Sequence, residues 1–174
     1  MKKEDIVNVL EEKHQQLFNL LENQPDESWE KGPEGKWTTG QHIEHLVDSI
    51  KKVNHAMSYP KFLLKYKFGT SNRDTRSYNE VAKRYQEKLS TNQDRARVFN
   101  QNVKTPPLQK KKQLLATLQI QNKKLQHKTN QWKDKNLDNL IFPHPLMGKM
   151  PVREIVMWTA HHTEHHTNTL TEKH

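Results

Sequence analysis

A chain of 174 residues, 32% hydrophobic and 28% charged, suits a single domain whose sparse apolar side chains must be gathered on narrow faces, which favours amphipathic helices. It contains no cysteine, which excludes disulfides, zinc–thiolate sites and a protein-borne thiol nucleophile and leaves His, Asp and Glu to carry any metal chemistry. The net charge of +9 belongs to the middle: residues 61–135 hold 19 Lys/Arg against 5 Asp/Glu, whereas residues 1–60 carry a net −4 and residues 136–174 a net −1.

In chain order, Ile6, Leu10, His14, Leu17 and Leu21 fall at helical spacing and predict a first helix from about Glu4 to Glu22. The Pro- and Gly-bearing stretch "NQPDESWEKGPEGKW" ends it. A second helix begins at "TTGQHIEHLVDSIKKVNHAM", with a threonine as N-cap and Ile43, Leu46, Val47, Ile50, Val53 and Met57 as the buried stripe, and Pro60 marks its end. The stretch "KFLLKYKFG" reads equally as a short helix or an irregular excursion.

Helical pattern resumes over residues 77–102, where Ser77 and Glu80 have the spacing of a capping box, and stops at "TPP". A further helix over residues 108–132 places Leu114, Leu118, Leu125 and Trp132 roughly on one side. After "NLIFPHPLMGKM" the last helix starts near Pro151. No alternating apolar run with hairpin signals occurs, so strands have little support, and the expected architecture is all-α, a bundle of about four principal helices with a long crossover in the middle.

No stretch approaches the ~18 uninterrupted apolar residues of a membrane span, and the N-terminus lacks an apolar signal core. A cytoplasmic protein with no membrane partner is the expectation. The basic middle segment can engage nucleic acid or another polyanion. Its lysines interleave with apolar residues, as in "KKKQLLATLQIQNKKLQ", without a nucleic-acid motif, which favours the solvated face of a helix.

The final helix contains "HHTEHH", with histidines at 161, 162, 165 and 166. Residues four apart share a helix face, so His161 pairs with His165 and His162 with His166 as candidate bidentate sites. Advancing about 100° per residue groups Val152, Ile155, Val156, Thr159, Thr163 and Leu170 on one face, with His162 and His166 on its edge. His161 and His165 point nearly opposite, beside Glu154 and Asn168, and read as solvent-facing or as outer partners. Glu164 also points away, so the run does not behave as an HExxH protease motif.

Two imidazoles do not complete a site, because catalytic centres take about three protein ligands and keep one position open. The third must come from another helix, from among His14, His42, His45, His55, His127 and His144. The angular count on the second helix puts His42 nearer the apolar stripe and His45 on its flank.

Two parts of the chain carry a family resemblance. "WTTGQHIEHLVDS", from Trp37 through His45, resembles the "W-S/T…H-L-x-D-S" pattern of the DinB/YfiT-like superfamily, whose members are read as metal-dependent enzymes and include bacterial thiol-dependent S-transferases. "HPLMG" from His144 and "HTEHH" from His162 resemble its "HP…G" and "HxxHH" elements.

The resemblance implies His45, His162 and His166 as the metal ligands, a four-helix bundle of up-down-down-up topology, and frequent homodimers. It further implies an enzyme in which a divalent ion, Zn2+ or Ni2+ foremost and Mn2+ next, activates water or a low-molecular-weight thiol against a small-molecule substrate, as a hydrolase or a thiol S-transferase. The basic middle and the "TNTL" that follows the last histidine, where the family carries Gln or Ile, depart from its pattern. The alternatives are a family member with a vacant site, and a non-catalytic protein using residues 61–135 to bind nucleic acid or another polyanion.

Overall fold

The computed structural model describes residues 1–94 and 103–172. Among them the order is α1 (Lys3–Glu22), α2 (Glu27–Glu30), α3 (Thr39–Ala56), α4 (Lys61–Phe68), α5 (Tyr78–Thr91), a 3-10 turn (Leu108–Lys110), α6 (Lys111–Gln131), α7 (Asp134–Asn139), β1 (Ile141–His144), β2 (Gly148–Pro151) and α8 (Val152–Thr171). The chain is therefore mostly helical with one small sheet. The end of the helix expected over residues 77–102 lies outside the described residues from position 95 on.

Helix boundaries follow local chemistry. The Thr38 hydroxyl accepts from Gln41 N and the Gln41 side chain accepts from Thr38 N, a capping box that starts α3. Ser77 and Glu80 do the same for α5. "KFLLKYKF" proves helical because Leu64 and Phe68, four apart, turn inward together, and Gly69 at φ +84° ends the helix in a conformation that L side chains avoid.

The four long helices close a ring: α1 packs on α6 and α8, and α3 packs on α6 and α8. Ile6, Leu10, Leu17 and Leu21 of α1, Ile43, Leu46, Val47 and Ile50 of α3, Leu118 and Leu125 of α6, and Ile155, Val156 and Leu170 of α8 fill its interior. Between α3 and α6 the chain makes the expected long excursion, and α5 lies against α8.

The expectation that strands have little support is corrected by the hairpin β1–β2, paired antiparallel with Ile141 opposite Pro151 and His144 opposite Gly148. Its signal was hidden because β1 buries Ile141, Phe142 and His144 and exposes only Pro143, so no period of two shows. The turn is set by Gly148 at φ +75° and by the His144 ring, whose Nδ1 accepts from Leu146 N at 3.1 Å and Met147 N at 3.0 Å.

A buried carboxylate ties the excursion to the last helix. Glu154 is fully buried and accepts from Arg73 Nη1 and Nη2 at 2.6 and 2.8 Å, from Arg76 N at 2.7 Å and from Arg76 Nη1 at 3.2 Å. Burial opposes its charge, yet these donors outweigh it and hold the carboxyl below its ordinary pKa. Arg153, one residue earlier, is clamped by Asp134 and Asp138 of α7. No described helix is long and apolar enough to cross a membrane.

Candidate metal centre

The last helix is enclosed on nearly every side: from Val152 to Ala160 every residue is buried. One turn further on, His162 and His166 face α3, and His45 of that helix meets them. His162 Nε2 lies 3.1 Å from His45 Nε2 and 3.0 Å from His166 Nε2, and one ring nitrogen of each of the three lies within 4.8 Å of the others.

These spacings fit a shared ion. Metal–nitrogen bonds of 2.0–2.1 Å at tetrahedral angles put two ligand nitrogens about 3.3 Å apart, a few tenths of an ångström wider than the separations here. The rings are also in the right charge state. Burial, reinforced by the Lys52 charge, lowers the His45 pKa to about 4, and burial followed by mutual proximity holds His162 and His166 well below the ordinary imidazole value. Neutral imidazoles keep a nitrogen lone pair to give to a cation.

A second layer fixes the rings. His166 Nδ1 lies 2.7 Å from His42 Nδ1, and His162 Nδ1 lies 3.5 Å from the Ser49 hydroxyl. An imidazole that gives Nε2 to a metal carries its proton on Nδ1, and such partners hold that tautomer in place. Trp158 stacks on His162 with centroids 4.6 Å apart and planes 19° from parallel, and Trp37 lies parallel to His166 at 6.1 Å.

The trio opens on a cavity of about 1090 Å³. Phe68, Leu89, Phe142 and Ile155 supply apolar wall, while Glu44, Asp48, Lys52, Lys104 and Lys110 supply charge. This is at the upper end of the range for small-molecule sites, and one apolar chamber with a few convergent polar groups is their usual form.

The other candidate histidines are spent elsewhere. His14 is buried in α1 with Nδ1 2.8 Å from Leu10 O, His55 is bonded to the Tyr59 hydroxyl, His127 is exposed, and His144 holds the hairpin turn. The angular count correctly made His42 the more buried of the α3 pair. It backs His166 instead of joining the trio, and half-buried His45 reaches the site because the site lies at the edge of the core, where the cavity begins.

His161 and His165 differ from the solvent-facing expectation. Both are half-buried, because α5 packs over that side of α8. Gln86 Nε2 donates to His161 Nε2 at 3.1 Å and approaches His165 Nδ1 at 3.4 Å, while His161 Nδ1 meets Glu164 Oε2 at 3.0 Å. Glu164 pairs with Lys13 at 2.8 Å, away from the trio. Trp158 and Tyr85 escaped the sequence reading. Trp158 had a signal, standing four residues before His162, but Tyr85 comes from α5, whose packing on α8 no spacing announces.

No curated protein and no solved structure matches this chain closely enough to count as a relative. The sequence profile of the DinB superfamily matches residues 10–170, which takes in His45, His162 and His166 and both stretches that carry the resemblance. The chain belongs to the DinB superfamily.

Proposed function

We propose that this protein is a metal-dependent enzyme in which His45, His162 and His166 hold a divalent ion, Zn2+ or Ni2+ foremost and Mn2+ next. The observation that carries the reading is the convergence of three neutral imidazoles, His162 lying 3.1 Å from His45 and 3.0 Å from His166, at the wall of a large cavity. A divalent ion there supplies the positive charge that turns water or a small-molecule thiol into a nucleophile at neutral pH. His42 and Ser49 orient two of the rings, and Trp158 and Trp37 restrict their rotation.

The chain's own groups narrow the chemistry. With no cysteine, a sulfur nucleophile has to arrive on a low-molecular-weight cosubstrate. Glu164 is engaged by Lys13 and His161, which leaves it unsuited to act as a general base at the trio. The reaction is thus hydrolysis or thiol transfer on a small-molecule substrate. The ring of α1, α3, α6 and α8 is read as the family's up-down-down-up four-helix bundle, with the segment carrying α4 and α5 as its crossover.

Elemental analysis of untagged protein tests the proposal: about one equivalent of metal is expected after supplementation with zinc, nickel or manganese. Protein that remains metal-free in all three removes it. A screen of small thiols and electrophiles against the loaded protein then separates transferase from hydrolase.

A further inference from the structure

Tyr85 occupies an unusual position beside the trio. Its ring is 5% exposed and meets five others edge-on, with centroids 5.9 Å from both His161 and His165, 6.0 Å from Trp158, 6.1 Å from His162 and 6.3 Å from His144. A phenol ordinarily brings its hydroxyl to a partner when the ring is buried this far.

Here the hydroxyl makes no hydrogen bond to any described residue. Nor does it belong with the occluded, unpartnered polar atoms, which include Trp158 Nε1 and His144 Nε2. It therefore keeps access to the cavity that Tyr85 lines together with His45, His162 and His166. A phenol hydroxyl carries one O–H and can donate it to a ligand acceptor.

The geometry points to Tyr85 as a substrate-binding residue whose hydroxyl donates a hydrogen bond to an acceptor atom of the molecule bound in the metal cavity. This rests on the metal-centre reading and narrows it. The substrate is a largely apolar molecule, matching the walls formed by Phe68, Leu89, Phe142 and Ile155, that presents one anionic or carbonyl-type acceptor on the side of the cavity where α5 meets His162. The phenol is a neutral donor, and the lysines Lys52, Lys104 and Lys110 line the same cavity.

The test uses cobalt(II)-loaded protein titrated with azide, a small anionic acceptor, and in parallel with imidazole as a neutral ligand, each followed by the visible spectrum. Tyr85→Phe preserves the ring and its packing. The expected result is full metal content, an unchanged melting temperature of the metal-free protein, about tenfold weaker azide affinity and unaltered imidazole affinity. Equal azide affinity in the two fully loaded proteins overturns the assignment of Tyr85 alone. A lowered melting temperature of the metal-free variant also overturns it, because the hydroxyl would then serve the fold. Failure of wild-type protein to take up cobalt overturns the metal centre and the tyrosine's role together.

Discussion

Replacing the clustered histidines one at a time should give a graded loss of metal whose order is dictated by the contacts of each ring. His162 is the hub, 3.1 Å from His45 Nε2 and 3.0 Å from His166 Nε2, so His162→Ala leaves two imidazoles, too few for a firm site. His42 backs His166, at 2.7 Å, and loss of such an outer partner costs roughly 10- to 100-fold in metal affinity. Direct ligands must cost more than that, so His162→Ala is expected to weaken zinc binding by well over about 100-fold. His161 bonds Gln86 and Glu164 and faces α5, so His161→Ala should leave affinity within about threefold, the scatter of a remote surface change. Competition against a chromophoric zinc chelator measures all three variants, with circular dichroism confirming their helicity. The reasoning is refuted if His161→Ala loses metal as completely as His162→Ala, or if His42→Ala is the worst of the three.

Other outcomes follow from features outside the trio. The metal-free protein should lose stability as pH falls from about 6.5 to about 4, because the unfolded chain takes up protons on His14, His45 and His144 that the folded chain, with those pKa values lowered to about 4 by burial, does not. Each contributes a slope of up to about 1.4 kcal/mol per pH unit within that window and nothing above it, and a flat series of urea midpoints between pH 7 and pH 5 contradicts the burial argument. Glu154→Gln should cost about 2 kcal/mol in urea unfolding, below the range for fully buried pairs because Arg73 and Arg76 are 32% and 28% exposed and can turn to water. Thr38→Ala removes the α3 cap and should cost about 1 kcal/mol with metal content intact, so that loss of metal in this variant argues that the cap also positions His45.

Where a side chain's fate depended on its own helix, the sequence was informative. The stripe of α1, the caps at Thr38 and Ser77, and the inward phase of His162 and His166 all follow from spacing of three or four residues. What depended on a neighbouring element was hidden. Periodicity could rank His42 above His45 by burial, but it could not show that α8 meets the flank of α3 at the cavity's edge, where an only half-buried histidine is the one within reach. His161 and His165 were misjudged because a polar face is read as wet until something covers it, and α5 does. The hairpin was missed because a strand buried on successive residues has no alternation to detect, and its turn is stabilised by a histidine ring, an uncommon donor-satisfying device. The resemblance supplied His45, which the residues alone had left among six candidates.

His45 and His162 stand 117 positions apart, so an ion shared between them would staple the first third of the chain to its last helix. In chain-entropy terms such a staple resembles a disulfide closing a loop of about 100 residues, which removes roughly 4–5 kcal/mol of freedom from the unfolded state. A cysteine-free chain would thereby obtain a long-range cross-link that forms only after α3 and α8 have found each other, and that a chelator can undo without touching a covalent bond. Occupancy of the centre and cooperativity of the whole fold would then rise and fall together.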